Sequence, residues 1–588
     1  MRQFFKFMFA SMLGVFLSIV LFFLLLAVII SSMVSSVSTD EKVTIESGTI
    51  LHLHFKNPIE DRSQENPFDN LDFTSFGSKQ PGLNEILKNL QKAATDDNIS
   101  GIYLDLSGLQ GGFATIEELR NALIDFKKSK KFIYAYSDYY SQGSYYLASI
   151  ADKVWVNPEG GVDISGFAAN IPFLKGTFEK LEIEPQIIRH GKFKSAIEPL
   201  IFDKMSDENR EQVATYMNSL WSKYLTGVAS ARKISPEEVQ QIADSLKIRT
   251  SEDALRLKIV DKIAYKDEFI AMLREKSNKK ATEELKLVTL KKYNNAAGKT
   301  KEFTRDKIAV IYASGNIVSG KGESDEIGSE SLSETIRKAR EDEKVKAIVL
   351  RINSPGGDAL ASEIIWREVD MSRKVKPVIV SMGDVAASGG YYIACAADTI
   401  IAQPNTITGS IGVFGVIFNA QKLFNNKLGI TFDGYKTAPL SDIGSQVRPM
   451  TETERLIMQQ SVERVYTTFT TRVADGRNIP VAMVDSIGQG RVWSGTDALR
   501  IGLVDKLGGL DDAIAIAAGK AGLKNYRISE LPEIKEPFVQ IIEEISGDVE
   551  TRWIKNKLGS DYNYYQTFQN IRNLQGIQAR SFVFFELH

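Results

Sequence analysis

Cysteine and histidine are scarce in this sequence of 588 residues, which contains one cysteine, Cys395, and four histidines. A single cysteine excludes a framework of disulfide bonds within the chain, and the apolar neighbours of Cys395 predict a buried core residue. The sequence also lacks a His-Glu-x-x-His pattern, paired cysteines and carboxylates clustered at ligand spacing. We therefore expect no metal site and no cofactor.

An excess of charge of one sign is lacking too. The 72 basic and 74 acidic residues give a formal net charge of -2 at pH 7. No block of basic residues is present, so the sequence does not indicate a nucleic acid as a partner. With 43% hydrophobic residues, a chain of this length is expected to form two or more domains with substantial cores.

Long hydrophobic runs are limited to one, from Phe7 to Ile30. A helix of ~24 residues at about 1.5 Å per residue covers ~36 Å, which is enough to cross a bilayer. Cleaved signal peptides have shorter apolar regions, so we favour an uncleaved anchor, although the serines after Ile30 leave cleavage open. Arg2 and Lys6 precede the run and acidic residues follow it, which predicts a single span with a cytoplasmic N-terminus and the other domains outside the cytoplasm.

The rest of the chain is organised by an internal repeat. Residues 92–166 match residues 338–412 at a constant offset of 246 positions, with no gap. Chance similarity would not keep register for so long, so the chain contains two copies of one domain. The predicted division is a cytoplasmic N-terminus and membrane anchor at 1–40, a first copy at 41–300, a second copy at 301–525 and a C-terminal extension at 526–588.

Each copy alternates short β-branched runs with helical patterns. This alternation predicts a largely parallel sheet covered by helices, and therefore two tandem α/β domains. A helix is predicted at Ser331–Glu341. The predicted strands are Ile50–Phe55, Ile102–Leu106 and Lys131–Ala135 in the first copy, and Lys307–Tyr312, Ala347–Ile352 and Pro377–Met382 in the second.

The two copies differ at two positions that could carry chemistry. In the second copy a strand leads into Ser354–Gly357, a Ser-Pro-Gly-Gly turn whose exposed N–H groups could stabilise an oxyanion. The next predicted strand ends at Met382, and small residues then surround Ser388 at the start of a helix, which leaves its hydroxyl unobstructed. The first copy has lost the Pro-Gly-Gly and has Gln142 opposite Ser388. A serine nucleophile at this position can therefore lie only in the second copy.

A serine nucleophile needs a base. His52 and His54 have no counterparts in the second copy, so each is interpreted as structural and a Ser-His-Asp triad is poorly supported. The alternative is a buried lysine, because burial lowers the pKa of an ammonium towards the working pH. The residues alone rank Lys194, which has apolar neighbours, and Lys436 almost equally.

Four motifs together resemble the long, tandem-domain form of the bacterial signal peptide peptidase A (protease IV) family. The resemblance covers essentially the whole chain. It implies a fold similar to the Clp protease/crotonase superfamily in each half, and a serine protease with a Ser/Lys dyad. The motifs are FKSAIEP at Phe193–Pro199, SPGG at Ser354–Gly357, ASGGYY at Ala387–Tyr392 and TGSIG at Thr408–Gly412.

The resemblance also implies the roles of individual residues. The family pattern does not use a lysine at position 436, so Lys436 becomes a second candidate. Such a dyad would join the two copies, which would explain why the first copy lost its serine. The implied roles are nucleophile for Ser388, general base for Lys194, orientation of the lysine amine for Ser410, and oxyanion donation by the backbone N–H of Gly356 or Gly357 and that of Gly389.

By the same resemblance, the substrates would be remnant signal peptides and other apolar peptides, released into the inner membrane by leader peptidase. A homotetramer is implied, and the dyad could be completed within one protomer or between two.

Two other functions stay open. A crotonase-like enzyme that stabilises a thioester enolate would need an acyl-CoA pocket and has no use for Ser388, whereas a non-catalytic membrane scaffold has no need of an intact dyad.

Overall fold

The structure is a computed structural model that describes residues 2–37, 44–55, 57–63, 81–277, 283–296, 304–323, 325–533 and 576–581. Helix α1 (Arg2–Val37) begins the chain. Its segment Gln3–Leu25 has a mean hydropathy of 2.6, and none of it is buried against the rest of the protein. In the described part of the chain it is the one helix long and apolar enough to cross a membrane. This is compatible with a single-pass anchor.

The first copy follows as alternating strands and helices. Its elements are β1 (Thr49–His54), α2 (Leu83–Thr95), β2 (Ile99–Asp105), α3 (Phe113–Lys127), β3 (Phe132–Tyr140), α4 (Gln142–Ala148), β4 (Lys153–Val162), α5 (Lys175–Leu181), β5 (Glu184–His190), α6 (Glu198–Ile201), α7 (Asp207–Arg232), α8 (Pro236–Asp244), α9 (Ser251–Arg256), β6 (Lys262–Ile263), α10 (Lys266–Lys276), β7 (Leu287–Thr289) and α11 (Leu290–Asn294).

The second copy repeats the alternation of strands and helices, with several additional short strands and one final strand. Its elements are β8 (Lys307–Ser314), β9 (Asn316–Val318), β10 (Glu326–Gly328), α12 (Ser329–Glu341), β11 (Val345–Ser354), β12 (Gly356–Asp358), α13 (Ala359–Arg373), β13 (Val378–Ala387), α14 (Gly389–Ala394), β14 (Thr399–Ala402), β15 (Ile407–Gly409), β16 (Val413–Asn419), α15 (Glu452–Arg477), α16 (Val481–Ile487), β17 (Val492–Ser494), α17 (Gly495–Arg500), β18 (Lys506–Leu507), α18 (Leu510–Lys520), β19 (Arg527–Leu531) and β20 (Gly576–Arg580).

Each copy contains a mainly parallel sheet, as the repeat predicted. The first has the order β6-β4-β3-β2-β1-β7 and is parallel throughout. The second has the order β17-β15-β13-β11-β8-β19. Strand β14 also pairs with β13, β18 pairs with β14, and within this sheet only β17 pairs antiparallel. Apolar side chains of the central strands are buried, and the cores include Cys395, as predicted. The tandem α/β fold is thereby confirmed.

A third sheet joins the two copies. Its order is β10-β9-β12-β20-β16-β5, in which β5 comes from the first copy and β16 from the second. The two pair antiparallel over seven residues, from Glu184 opposite Asn419 to His190 opposite Val413. The predicted pattern of two separate sheets did not include this pairing, because β5 and β16 are far apart in sequence.

Strand β13 is longer than the sequence predicted. The prediction that it ends at Met382 is wrong, because it continues to Ala387. Its pairing with β11 shifts register between Ile352 and Ser354, and its last residues also pair with β15 on the other side. Small side chains let the backbone stay extended through this irregularity, so the strand itself reaches the position before Ser388.

Charged side chains buried between the copies add to the contact. Arg351, on β11, is 1% exposed, and its guanidinium lies 2.7 Å from Asp61 Oδ1 and 3.0 Å from Glu118 Oε2, both in the first copy. Burial alone would lower the pKa of Arg351, but these two carboxylates raise it above its ordinary value. The guanidinium of Arg351 therefore stays charged, and it bridges the carboxyl groups of Asp61 and Glu118.

Replacement of Arg351 by methionine is expected to lower the free energy of unfolding by about 3–5 kcal/mol, because it leaves two buried carboxylates without their counter-charge. Urea denaturation of the full chain in detergent measures this. The matched control is Arg367→Met, which breaks a pair with Asp370 from a side chain that is 58% exposed and should cost about 1 kcal/mol or less. Equal losses in the two variants would contradict the expected role of the buried cluster.

Candidate active site

Ser388 lies at the junction of β13 and α14, where its side chain is fully buried. Its φ of 55° and ψ of -114° are unfavourable for a residue with a side chain. The backbone holds this conformation from both sides: the N–H donates to Gly409 O at 2.8 Å, and the carbonyl accepts from Tyr392 N at 2.8 Å. Strain of this kind is typical of functional positions.

Lys194 meets Ser388 from the other copy of the repeat. Its Nζ donates to Ser388 Oγ at 2.9 Å, to Ser410 Oγ at 3.1 Å and to Ser410 O at 3.2 Å. The residue is 1% exposed, and no carboxylate of the described residues forms an ion pair with it. Burial lowers the pKa of Lys194 to about 7. The amine can therefore be neutral near pH 7, and both residues belong to one chain.

The third sheet brings Lys194 to this position. Strand β5 ends at His190, opposite Val413, only a few residues before the lysine. Glycines make room for the side chain: a Cβ on Gly490 would lie 2.6 Å from Lys194 Cβ, and one on Gly412 would lie 3.2 Å from Lys194 Cδ. Gly412 is the last residue of the TGSIG motif. The space that the Lys194 side chain needs explains why the motif has a glycine there.

A glutamine that the sequence analysis missed holds the lysine segment in place. Gln212, on α7, donates from Nε2 to Phe193 O at 3.0 Å and to Ser195 Oγ at 2.7 Å, and its Oε1 accepts from Val492 N at 3.2 Å. The side chain is buried and so links the residues on both sides of Lys194 to the second copy. Gln212 belongs to none of the four motifs, so no local signal pointed to it.

The glycine turn lies directly beside the start of α14. Gly356 has a φ of +96°, and a Cβ there would lie 2.5 Å from Gly389 N, so only glycine fits. The Gly356 N–H donates to Ser354 Oγ at 3.1 Å. This bond occupies one of the two candidate oxyanion donors in the turn and leaves Gly357 as the better placed one.

The corresponding position of the first copy is closed by hydrogen bonds. Gln142 Nε2 donates to Gly166 O at 3.0 Å, and Gly166 N donates to Gln142 Oε1 at 3.0 Å. In the repeat register these residues match Ser388 and Gly412. The amide therefore bridges two segments that border the hydroxyl in the second copy, and it provides no nucleophile.

The remaining candidate base is not brought to Ser388. Lys436 lies on an exposed stretch, its side chain is 42% exposed, and its Nζ is 2.6 Å from Asp442 Oδ1. Lys436 thus lacks the burial that a lysine base needs.

Two histidines form a cluster that the sequence analysis did not recognise, because its third member is about fifty residues away. His52 and His54 lie 3.5 Å and 3.4 Å from Asp105 Oδ2, within the geometry that a metal ion could use. Lys266 Nζ is 3.1 Å from the same oxygen. Burial raises the pKa of Asp105, but the nearby His52 and the hydrogen bond and charge of Lys266 outweigh burial and hold that pKa below its ordinary value. The lysine supplies the positive charge, so the cluster is accounted for as a charge network.

The chain is similar to known proteins over most of its length. The model of peptidase family S49 matches residues 125–280 and 370–524, and the Clp protease model matches residues 299–408. Protease 4 of Salmonella typhi is 39% identical over 489 residues, which cover 81% of this chain and 78% of the relative. The chloroplastic serine protease SPPA of Arabidopsis thaliana is 35% identical over 91% of this chain and 78% of its own length.

A shorter relative matches as well. The putative signal peptide peptidase SppA of Enterococcus faecium is 38% identical over 180 residues, which cover 30% of this chain and 52% of that protein. The two matches to the S49 model fall on the two copies of the repeat. The fold, the duplication and the similarity over most of the chain together make this protein a serine protease that belongs to peptidase family S49.

Proposed function

We propose that the protein is a membrane-anchored endopeptidase in which Ser388 and Lys194 form a catalytic dyad across the two copies. The observation that carries this proposal is the 2.9 Å distance between Lys194 Nζ and Ser388 Oγ in a fully buried setting. A base must lie within hydrogen-bond reach of the proton that it removes and have a pKa near the working pH. Lys194 meets both conditions, and Ser410 accepts the hydrogen bonds that direct its amine.

The reaction would proceed through an acyl-enzyme. Neutral Lys194 takes the proton of Ser388 as Oγ attacks the carbonyl carbon of the scissile bond. The backbone N–H groups of Gly357 and Gly389 stabilise the oxyanion. The lysine ammonium then protonates the leaving amine, and water releases the acyl group with Lys194 acting as base once more.

The division of the chain follows from the same proposal. Residues 1–40 would form the cytoplasmic N-terminus and anchor, residues 41–300 would supply the base, residues 301–525 would supply the nucleophile, and residues 526–588 would form an extension.

The exposed apolar surface of α1 supports insertion in the inner membrane, with both copies outside the cytoplasm. An anchored site lies close to signal peptides released into the bilayer, and the E. faecium relative is named for that activity. We propose these peptides as substrates and a homotetramer as the assembled form.

A serine-reactive fluorophosphonate tests the assignment of the nucleophile. The full chain in detergent is treated with the probe, digested and mapped by mass spectrometry. We expect one modified serine, Ser388, and loss of that label when Lys194 is replaced. Modification of a different serine contradicts the assignment of Ser388 as the nucleophile. No modification of a protein that unfolds cooperatively contradicts the proposal as a whole and favours the scaffold function.

The pH dependence of peptide hydrolysis tests the base. Protonation of Lys194 removes the base, so kcat/KM should fall tenfold for each pH unit below about 7, where burial has placed its pKa, and should be level above it. The measurement needs a fluorogenic peptide with no group that titrates between pH 5 and 9. A rate that does not change between pH 5.5 and 8 would show that Lys194 is not the titrating base.

A further inference from the structure

The loop between α16 and β17 contacts both the segment that carries Lys194 and the serine beside its amine. Phe193 N donates to Gln489 O at 2.9 Å, which holds the lysine segment. Ser410 Oγ donates to Gly490 O at 3.3 Å. A hydroxyl has one hydrogen to donate, so Ser410 Oγ meets Lys194 Nζ, 3.1 Å away, as an acceptor. Two neighbouring carbonyl groups of one loop therefore place the lysine and orient the hydroxyl that directs its amine.

The backbone of this loop has a conformation that needs support. Gln489 has a φ of 53°, in the left-handed region, and Gly490 follows with a φ of +80°. A residue with a side chain is strained at such a φ and keeps it only where its surroundings hold it. The contact with the lysine segment is close, because a Cβ on Gly191 would lie 2.5 Å from Gln489 O. A shift of the Gln489 peptide would therefore be transmitted to the segment that carries the base.

The hydroxyl of Tyr466, on α15, holds this peptide. It accepts from Gln489 N at 3.3 Å and donates to Asp485 Oδ1 at 2.6 Å. Gln489 Nε2 donates to the same carboxylate oxygen at 2.6 Å, so residue 489 is held through its backbone and its side chain. Tyr466 is buried. Burial and the hydrogen bond to Asp485 raise the pKa of Tyr466 above its ordinary value, which keeps the phenol protonated.

The ring of Tyr466 reaches the lysine segment at a second point. His190, the last residue of β5, stacks on this ring with the centroids 3.7 Å apart. His190 Nδ1 is also 2.6 Å from Oε2 of Glu463, which is three residues before Tyr466 on α15. Tyr466 therefore contacts both the strand that leads to Lys194 and the loop that packs against it.

We propose that Tyr466 is a positioning residue for the dyad, because its hydroxyl fixes the Gln489 peptide and thereby the place of Lys194. The inference rests on the proposed function, in which Lys194 is the base for Ser388. Tyr466 acts through the loop and not on the reacting atoms. Loss of its hydroxyl should therefore slow the chemical step and leave the binding of the peptide substrate unchanged.

Tyr466→Phe tests this role, because it removes the hydroxyl and keeps the ring that stacks on His190. Hydrolysis of a fluorogenic peptide by the full chain in detergent is measured from pH 5 to pH 9. We expect kcat to fall about 10–100-fold, with KM within about twofold of its original value. The acidic limb of the pH profile should move up by at least about half a pH unit, because water that reaches the Lys194 amine favours its charged form.

Tyr146→Phe is the matched control. Tyr146 is also buried, and its hydroxyl donates to Glu117 Oε2 at 2.5 Å within the first copy. This variant should keep kcat, KM and the pH profile. If Tyr466→Phe keeps all three as well, or if the two variants lose activity to the same extent, the proposal is overturned.

A second-site change separates positioning from a general loss of stability. Glycine adopts a positive φ without strain, so Gln489→Gly in the Tyr466→Phe background should recover kcat at least about threefold. It should also return the acidic limb towards that of the unmodified protein. Urea denaturation of each variant measures whether the chain unfolds cooperatively. No recovery in a double variant that does so overturns the route through Gln489.

Asp485 provides a pair of variants that leaves Tyr466 in place. Asp485→Asn keeps an oxygen that can accept both hydrogen bonds and should keep the activity. Asp485→Ala removes that acceptor and should have the lowered kcat and shifted acidic limb of Tyr466→Phe. Equal activity of the two Asp485 variants contradicts the inference.

The two proposals fail in different ways. If the unmodified protein hydrolyses the peptide and Tyr466→Phe is indistinguishable from it, the positioning role is excluded and the dyad stands. If the unmodified protein neither hydrolyses the peptide nor reacts with the fluorophosphonate, the proposed function is excluded and the positioning role is excluded with it.

Discussion

Replacing Ser388 by alanine is expected to lower kcat/KM for peptide hydrolysis by about 10⁴-fold or more, because no other group can form the acyl-enzyme. The change removes one oxygen and one hydrogen bond with Lys194. It leaves the strained backbone as it is, so the free energy of unfolding should change little. Hydrolysis of a fluorogenic apolar peptide by the full chain, with urea denaturation alongside, measures both quantities.

A second buried serine gives a matched control. Ser372, on α13, is also fully buried, and its hydroxyl finds no hydrogen-bond partner among the described residues. Ser372→Ala should keep kcat/KM within about twofold, because the site of the change makes no contact with the dyad. Similar activity losses in the two variants would indicate a general effect of altering buried serines rather than loss of a nucleophile.

Replacing Lys194 by methionine is expected to lower kcat/KM by about 10³-fold or more and at the same time to stabilise the fold. The loss of activity follows from the missing base. Methionine keeps much of the apolar contact of the side chain, so any effect on the shape of the site is small. Lys436→Met, which breaks only the exposed pair with Asp442, is the control and should retain activity.

The expected gain in stability follows from the lowered pKa of Lys194. The unfolded chain holds the proton up to a pKa of about 10.5, whereas the folded chain releases it at about 7. Protonation therefore favours the unfolded state, and the cost is complete below pH 7 and disappears as the pH rises towards 10.5. At pH 7 it is on the order of 4 kcal/mol. Unfolding free energies should differ between the two proteins at pH 7 and converge at pH 10; a difference independent of pH would contradict this cause.

Much of the fold could be predicted because both copies of the repeat carry the same sequence pattern, so each copy supports the interpretation of the other. The strands of each copy have β-branched runs of ordinary length, and the same order occurs in both. The structure therefore confirms strands such as Ile50–Phe55 and the helix at Ser331–Glu341 to within a few residues. Strand β13 was misjudged because Gly383 and the alanines after it have low strand propensity, and pairing with β15 outweighs that propensity.

The candidate site was less accessible to sequence reasoning alone. The difference between Gln142 and Ser388 pointed to the nucleophile, but the residues left Lys194 and Lys436 almost equal, and only the motif match separated them. Burial distinguishes the two lysines, and it depends on contacts between residues far apart in the sequence. The same holds for Gln212, for the pairing of Arg351 with Asp61, and for the place of β20. Each of these is a long-range contact with no local signature.

The third sheet, in which β5 of the first copy pairs with β16 of the second, has a consequence for the biogenesis of the enzyme. A ribosome completes the segment with Lys194 almost two hundred residues before it reaches Ser388. On the proposed mechanism, a nascent chain has no working hydrolase until the second copy has folded onto the first. If Lys194 and Ser388 act as proposed, the site therefore stays inactive while the chain is being made, and an unfinished chain cannot cleave peptides that surround it.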